Sequence, residues 1–366
     1  MHIKRLKLRN FRCFSEKEFE FDEKFIVIKG KNGSGKSSIL EALHYCCYLR
    51  SFRTHLNREL IKLDQDYFFI EIDVESNDAS NQIQVGFGNE QGKVVKHNQK
   101  PVNSYRELIS QYRAVSVCAD DIIVVSGAPE FRRDLMNYST LLLNPDLYNT
   151  FRRYNQVLEQ RNSLLRQIKL SPGVTTGLMD ELLVWSEKLW TETVGLQSVR
   201  LDYLGILEGR VNQLLKNYFD ATESDLQVKF SYLQKNGAGK TATFADFWQE
   251  YEKKDSQKME NALGRSFYGA HLDDFLINFY GKKAKIYASR GQQKLIVFLI
   301  KIAQLDCMAE AGIPGVLLLD DFLTDFDQQN LIRGINLLND KNFQVFITSP
   351  ISIDIFDFKQ AFFVEI

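Results

Sequence analysis

The chain has 366 residues, of which 44% are hydrophobic and 25% are charged. This composition is typical of a globular protein, and the length indicates two or three structural units at about 150 residues each. The formal net charge is −1. The overall charge therefore does not favour nucleic acid, and any such site must be a local basic patch.

The same features predict a protein of the reducing cytoplasm. The opening residues, MHIKRLKLRNF, are polar and alternating, so we expect no secretory signal peptide. No apolar run approaches the roughly 18 residues of a membrane span, and we expect no membrane partner. The five cysteines lack CxxC spacing and the histidines do not cluster, which favours free thiols and predicts no metal site built from these side chains.

Taken in chain order, the first hundred residues predict a β-rich fold around one buried helix. Apolar and polar residues alternate in several segments, and Phe25–Lys29 is a short apolar run that ends at Gly30. The stretch from Ser37 to Leu49 is apolar on nearly all sides, as in a buried helix. Strands are predicted at residues 3–9, 18–21, 25–29, 68–74 and 82–87, with a hairpin at 93–100.

A long antiparallel helical hairpin is predicted next. Apolar residues recur at helical spacing from Leu147 to Ile168 and from Leu182 to Tyr218, with the breaker SPGVTTG between the two stretches. We interpret both apolar stripes as core packing between helices. Strand-like alternation returns at Leu226–Tyr232.

The clearest chemical motif is GKNGSGKS, which matches G-x-x-x-x-G-K-[ST] in full between a buried strand and a helix. Glycines allow a tight loop whose N–H groups face phosphate oxygens, and the helix adds the positive end of its dipole. In such loops the lysine, here Lys36, reaches the β- and γ-phosphates, and the Ser37 hydroxyl binds Mg²⁺. We therefore predict an ATP site formed by Gly30, Lys31, Asn32, Gly33, Ser34, Gly35, Lys36, Ser37 and Ser38.

A second motif is the apolar run Val316–Leu319, which is followed by two carboxylates. A buried strand of this kind delivers Asp320 at its C-terminal end, where P-loop proteins place the acid that completes the Mg²⁺ shell. Asp321 then takes the position of the general base of ABC-type ATPases. Most of these enzymes use Glu there, and Asp has the same chemistry.

A third motif, Ser289-Arg290-Gly291-Gln292-Gln293, precedes the apolar helical stretch Leu295–Leu305. A Ser-x-Gly-Gln turn that opens a helix is the layout of the ABC signature, which contacts ATP held by the other subunit. Ser289, Gly291 and Gln292 are therefore predicted to bind nucleotide across an ATP-dependent homodimer. The alternative is that Ser289 is an ordinary helix N-cap.

Two smaller features agree with this layout. Thr324–Asp327 follows the carboxylates where a D-loop belongs, and Thr348 follows an apolar strand at the switch position, where transporters carry His. A second glycine-rich stretch, Gly237–Thr241, has Gln234 in place of the first motif glycine, and we interpret it as a turn.

The predicted fold class is α/β: an ABC-type P-loop ATPase head with an N-terminal antiparallel β subdomain and an inserted α-helical domain. Residues 1–125 are predicted to form the first part of the ATPase lobe and 126–222 the inserted helical hairpin domain. Residues 223–366 are predicted to complete the lobe with the signature, the carboxylate strand, the D-loop and the switch.

These residues together resemble the RecF family along the whole chain. Departures from the family pattern are Leu272 in place of Arg, Phe326 in place of Leu, Ser37-Ser38 in place of Thr-Asn, and Lys294 in place of Arg. The segments that carry the resemblance are Leu8–Arg12, Gly30–Ala42, Ser51–Thr54, Glu130–Arg133, Gln160–Leu165, Gly269–Asp274 and Ser289–Lys294.

The resemblance implies a cytoplasmic protein of DNA repair and replication. RecF proteins bind double-stranded DNA in an ATP-dependent way, dimerise around ATP, hydrolyse it slowly, and help RecO and RecR load RecA at single-strand gaps. By the same resemblance Arg12 approaches the nucleotide from the opening turn. Candidate DNA contacts, each with the alternative of a solvated surface charge, are Arg50, Arg53, Arg58, Lys282, Lys283 and Lys285.

Three other functions compete with this interpretation. A transporter ATPase is disfavoured by Thr348 and by the helical hairpin. A nuclease of the OLD group needs a further Toprim domain, and the roughly forty residues after Asp327 are too few for one. A scaffold that binds ATP without hydrolysing it and acts on a protein partner remains an alternative, because the presence of Asp321 does not determine the rate of ATP hydrolysis.

Overall fold

The computed structural model describes residues 1–76, 79–102, 105–170, 176–219, 227–235, 243–253, 255–322, 326–349 and 361–366. The chain divides into two compact units. The first unit comprises Met1–Ile122, Arg210–Leu226 and Ala288–Ile366, and the second comprises Ile123–Gly209 and Gln227–Tyr287.

The described strands are β1 (His2–Phe11), β2 (Phe14–Glu20), β3 (Phe25–Lys29), β4 (Tyr67–Ser76), β5 (Ala79–Gly88), β6 (Gly92–His97), β7 (Lys100–Pro101), β8 (Ala114–Val117), β9 (Val228–Leu233), β10 (Asp274–Phe279), β11 (Lys282–Lys283), β12 (Val316–Leu319), β13 (Gln344–Ser349) and β14 (Ala361–Glu365). The described helices are α1 (Lys36–Tyr48), α2 (Tyr105–Gln111), α3 (Ile123–Ser126), α4 (Pro129–Leu143), α5 (Leu147–Leu170), α6 (Thr176–Tyr218), α7 (Phe244–Lys253), α8 (Ser256–Leu263), α9 (Ala284–Tyr287), α10 (Arg290–Glu310) and α11 (Gln328–Asn339).

The first unit contains two sheets. One is antiparallel, in the order β2-β1-β4-β5-β6-β7, and the other is parallel, in the order β14-β3-β13-β12-β8. The strands of the antiparallel sheet alternate between a buried and an outer face, as their sequence pattern predicts. In β12 and β13 every residue is buried, which explains the apolar runs Val316–Leu319 and Val345–Ile347.

Helix α1 links the two sheets of this unit. It contacts β4 and β5 on the antiparallel sheet and β8, β12 and β13 on the parallel sheet. Nearly all of its residues are buried, which confirms the helix predicted from Ser37 onward as apolar on nearly all sides. Its N-terminus lies at the C-terminal end of β3, which is the edge of the parallel sheet where ligands of α/β proteins bind.

Gln344 ties the start of the chain to the parallel sheet. Its side-chain Oε1 accepts the N–H of Ile3 at 2.7 Å, and its Nε2 donates to the carbonyl of Ile3 at 3.0 Å. The side chain is buried, so both bonds are protected from water and fix β13 against β1.

The second unit combines helices with the antiparallel sheet β11-β10-β9. The two predicted stripes are helical in α5 and α6, and most of the breaker between them lies outside the described residues, as does Gly237–Thr241. Two segments differ from the sequence boundaries. Arg210–Leu226 clusters with the first unit, whereas residues up to 222 were predicted to lie in the inserted helical domain. Gln227–Tyr287 clusters with the second unit, whereas the predicted segment 223–366 placed it in the ATPase lobe.

Buried charge pairs explain why Gln227–Tyr287 belongs with the helices. Arg161 on α5 donates from Nη1 to Glu260 on α8 at 2.8 Å and from Nη2 at 2.5 Å, and both side chains are fully buried. Arg132 on α4 binds Asp274 on β10 through two bonds of 2.7 and 3.0 Å. These partners are 99 and 142 residues apart, so local sequence patterns do not reveal them.

The Arg161→Met variant is expected to lower the free energy of unfolding of the second unit by about 3–5 kcal/mol, because Glu260 is left buried without its partner. The matched control is Arg166→Met on the same helix, whose pair with Glu159 is exposed and is worth only about 0–1 kcal/mol. Urea unfolding followed by circular dichroism measures both, and equal stability of the two variants would contradict this account.

Candidate functional site

The glycine-rich loop between β3 and α1 is built as the sequence predicts. Gly33 and Gly35 have φ angles of 84° and 108°, which side chains rarely adopt. A Cβ at Gly30 would stand 2.4 Å from Ser34 Oγ and 2.7 Å from the carbonyl of Ile366. The loop therefore needs glycine at these positions for backbone conformation and for close approach.

The loop has the donors of a phosphate site. Helix α1 begins after Gly35 without a side-chain cap, so the positive end of its dipole faces the loop. The Lys36 ammonium group donates to the carbonyls of Gly30 at 2.9 Å and Lys31 at 3.2 Å. Ser34 Oγ is buried without a hydrogen-bond partner among the described atoms. A buried orphan hydroxyl beside these donors fits an anionic ligand such as a phosphate.

The Ser37 hydroxyl meets the predicted carboxylate at this loop. It donates to Asp320 Oδ1 at 2.7 Å, and Thr348 Oγ1 donates to the same oxygen at 2.9 Å. The three residues meet because β3, β13 and β12 are parallel neighbours whose carboxyl ends share one edge. Burial raises the pKa of Asp320, against the effect of these two bonds, and the charge of Asp321 adds to the increase.

This group of oxygens fits a magnesium ion. Mg²⁺ prefers hard oxygen ligands and is usually held by one or two carboxylates together with phosphates. Ser37 and Asp320 supply a hydroxyl and a carboxylate within hydrogen-bond distance of each other. Groups of three or more His, Cys, Asp or Glu that would form an all-protein metal cage are not found among the described residues.

Thr348 also fixes the predicted general base. The backbone N–H of Asp321 donates to Thr348 Oγ1 at 2.7 Å, and this hydroxyl lies 3.2 Å from Asp321 Oδ1. Asp321 has a φ of 47°, a left-handed conformation that is unusual for a residue other than glycine. Thr348 therefore donates to Asp320, contacts the carboxylate of Asp321, and holds the backbone turn that separates the two residues.

Ser289 forms the helix N-cap that was the alternative interpretation of the third motif. Its Oγ accepts the N–H of Gln292 at 3.2 Å, and Gln292 Oε1 accepts the N–H of Ser289 at 2.9 Å. This reciprocal pair is a capping box. Ser289 and Gly291 are nevertheless exposed, so the cap leaves both residues accessible, and their contact with a second copy stays a prediction.

The signature helix is joined to the segment after Asp321. The buried Lys294 lies with its ammonium group 5.3 Å from the centre of the Phe322 ring. Phe322 contacts Phe298 on α10 and Phe326 in the predicted D-loop. Of that loop, Thr324 and Asp325 lie outside the described residues.

Arg12 is held by α1 beside the loop. Its guanidinium binds both carboxylate oxygens of Glu41 at 2.8 and 2.7 Å and donates to the carbonyl of Glu59 at 2.8 Å. The next residue, Cys13, places its sulfur 3.7 Å from the carbonyl oxygen of Ser34. The opening turn therefore lies against the glycine-rich loop, and the predicted approach of Arg12 to nucleotide stays a prediction.

Glu41 is a structural residue whose role sequence reasoning missed. Its side chain is fully buried, and it accepts a hydrogen bond from Ser51 and lies 3.8 Å from Arg53 as well as binding Arg12. The sequence did carry a signal for this role, because an acid in an otherwise apolar helix with arginines nearby indicates a buried ion pair. Glu41 thus connects the opening turn and the Ser51–Thr54 segment to α1.

The predicted DNA-contacting residues fall into two groups. Arg50, Arg53 and Arg58 are exposed in the first unit, and Lys282, Lys283 and Lys285 are exposed in the second. Arg53 lies 3.8 Å from the carboxylate of Glu41, and Lys285 donates to the carbonyl of Gly127 at 3.3 Å.

None of the helices in the described ranges is long and apolar enough to cross a membrane.

Comparisons with known proteins find relatives along most of the chain. A family model described as an AAA domain matches residues 5–116. The DNA replication and repair protein RecF of Clostridium acetobutylicum is 30% identical over 345 residues, covering 92% of each chain. RecF of Clostridium novyi is 30% identical over 361 residues, covering 97% of this chain and 94% of that protein.

Solved structures show the same fold. The ATP complex of the recombination mediator RecF of the RecFOR pathway superposes with a TM-score of 0.82 at 27% identity, covering 97% of this chain and 93% of that chain. The Smc head domain from Pyrococcus furiosus, bound to part of ScpA, has a TM-score of 0.53 at 14% identity, with 95% and 89% covered. The predicted fold class is thereby confirmed, and the chain belongs to the RecF family of DNA replication and repair proteins.

Proposed function

We propose that this chain is an ATP-dependent DNA-binding protein of the RecF type, which dimerises around ATP on duplex or gapped DNA and hydrolyses ATP slowly. The observation that carries the proposal is the hydrogen-bonded group of Ser37, Asp320 and Thr348 beside the glycine-rich loop. The likeness to a RecF structure with ATP supports the choice of nucleotide.

Each residue of the loop has a role in holding the nucleotide. The backbone N–H groups of the loop and the N-terminus of α1 receive the phosphates, and Lys36 exchanges its bonds to loop carbonyls for bonds to phosphate oxygens. Ser37 and Asp320 hold Mg²⁺, which supplies positive charge to the phosphates. Ser34 Oγ gains a partner when an anion enters.

Asp321 is the proposed general base. Its carboxylate accepts a proton from water while the water oxygen bonds to the γ-phosphorus and the bond to the β–γ bridging oxygen breaks. Thr348 positions this carboxylate through its contacts to the side chain and backbone of Asp321. The reaction yields ADP and phosphate and weakens the dimer, since the γ-phosphate no longer joins the two copies.

The exposed turn at the start of α10 supports dimerisation around ATP. Ser289 keeps its hydroxyl hydrogen for donation because the capping box uses Ser289 Oγ as an acceptor. Gly291 and the positive end of the 21-residue helix are exposed beside it. We propose that Ser289, Gly291 and Gln292 bind the γ-phosphate of ATP held by a second copy.

The proposed partners are DNA, RecR and RecO. The solved relative is described as a mediator of the RecFOR pathway, and this supports the same partners for a chain of its family. A second candidate is a scaffold that acts on a protein partner, which the net charge of −1 favours over DNA. ATP-dependent retention of duplex DNA by the wild type separates the two candidates.

The Lys36→Ala variant is expected to lose ATP-dependent retention of duplex DNA. Loss of a charged hydrogen-bond donor to phosphate lowers ATP affinity by about ten- to a hundredfold. Fluorescence of a labelled ATP analogue measures the affinity, and filter binding of a labelled duplex measures retention. Lys258→Ala, which removes an exposed lysine outside the nucleotide loop, is the control. An unchanged ATP response in Lys36→Ala would refute the site.

The Asp321→Asn variant is expected to bind ATP normally and hydrolyse it about 10²- to 10⁴-fold more slowly, because an amide does not accept the proton of water. Its ATP-bound dimer should therefore accumulate, as measured by light scattering after addition of ATP and Mg²⁺. A monomer under these conditions would count against dimerisation around ATP, and wild-type hydrolysis would remove Asp321 from the reaction.

A further inference from the structure

The outer face of the antiparallel sheet carries a depression of about 340 Å³ that none of the roles above uses. We call it the aromatic depression, and its lining includes Tyr67, Phe69, Gly86, Val94, Arg9 and Lys96. All of these residues belong to the first unit, so the surface is complete within one described body.

The sheet register places the rings side by side. Tyr67 and Phe69 are two residues apart on β4 and therefore project from the same face. Phe69 lies opposite Arg9 on β1 and opposite Gly86 on β5, and Gly86 lies opposite Val94 on β6. Tyr67 is 44% exposed. The two rings thus form an open aromatic surface.

Gly86 is the residue that opens this surface. A Cβ at this position would meet nothing closer than the carbonyl of Phe68 at 3.9 Å, and its φ is outside the left-handed region. Neither packing nor backbone conformation therefore requires glycine, although glycine weakens a strand interior. A glycine in a strand often marks the close approach of a ligand, and here it leaves the face of Phe69 uncovered on one side.

The charge at the depression suits an anion. Arg9 and Lys96 are exposed at its margin, and the described residues of its lining include no carboxylate. Arg9 pairs with Glu16 at 2.9 Å, but both side chains are largely exposed, and such pairs are weak. The neighbouring Glu71 is already bound by Arg5 and Gln84. The surface therefore combines stacking rings with cations.

We propose that the aromatic depression binds an unpaired strand of nucleic acid. Bases stack on Tyr67 and Phe69, and the phosphates contact Arg9 and Lys96. Sheet-borne aromatic rings flanked by cations bind single strands in this way, whereas a duplex keeps the faces of its bases covered. The inference deepens the proposed function, on which it rests for the choice of nucleic acid, and assigns the unpaired strand of a gap to this face.

The test is fluorescence anisotropy of the full chain with a labelled dT oligonucleotide of about 12 nucleotides, at fixed salt and without ATP. Tyr67→Ala and Phe69→Ala are each expected to weaken binding about five- to tenfold, and Gly86→Val to weaken it by filling the depression. Tyr67→Phe, which keeps the ring, should retain affinity. Tyr148→Ala, at an exposed aromatic elsewhere, is the matched control.

Lys96→Gln adds an independent readout. Loss of one phosphate contact should reduce the slope of log affinity against log salt by about 0.7 for a single strand. Unchanged melting temperatures confirm that the variants are folded. Gly86→Val is the most informative of them, since an added Cβ meets no atom closer than 3.9 Å and valine favours a strand.

Wild-type binding of dT that the Tyr67, Phe69 and Gly86 variants leave unchanged would overturn the inference, as would an absence of dT binding. Stronger binding of an unlabelled aromatic peptide in competition would assign the face to protein instead. ATP-dependent retention of a duplex, measured on the same preparations, separates the two proposals. If the wild type does not retain the duplex with ATP, the proposed function is refuted. If it retains the duplex but does not bind dT, only this inference is refuted.

Discussion

The hydrogen bond from Ser37 to Asp320 is the contact on which the proposed activity depends. It joins residues 283 positions apart at 2.7 Å, and it forms only when β3, β13 and β12 lie in register. Thr348 extends the contact to Asp321, so the predicted phosphate loop and the proposed general base share one polar group. Folding of the parallel sheet therefore assembles the site.

Most of this site was predictable from sequence because its chemistry is local. The glycines, Lys36 and Ser37 must follow one another for a loop to enclose phosphates, and a buried strand must deliver Asp320 to the same sheet edge. The sequence offered two interpretations of Ser289, a helix N-cap and a residue of the signature turn. Ser289 forms a capping box on α10 and is still exposed, so the two interpretations do not conflict.

The second unit was less predictable because its determinants are not local. The apolar stripes of α5 and α6 predicted helices. The placement of Gln227–Tyr287, however, depends on buried pairs such as Arg161 with Glu260. An arginine in a helical pattern usually indicates a charge exposed to solvent, so the sequence did not reveal this pair. The same holds for Tyr67 and Phe69. Aromatic residues in a strand suggest a core, and only the register shows that they face outward beside Gly86.

The most direct test of the account is calorimetric titration of ATP with and without Mg²⁺ into the wild type and Asp320→Asn. The account predicts that Mg²⁺ raises ATP affinity in the wild type and that Asp320→Asn largely loses this increase, since the amide is a poorer ligand than a carboxylate. An equal increase in both proteins would contradict the placement of the metal beside Ser37 and Asp320 and with it the assembly of the site by the parallel sheet.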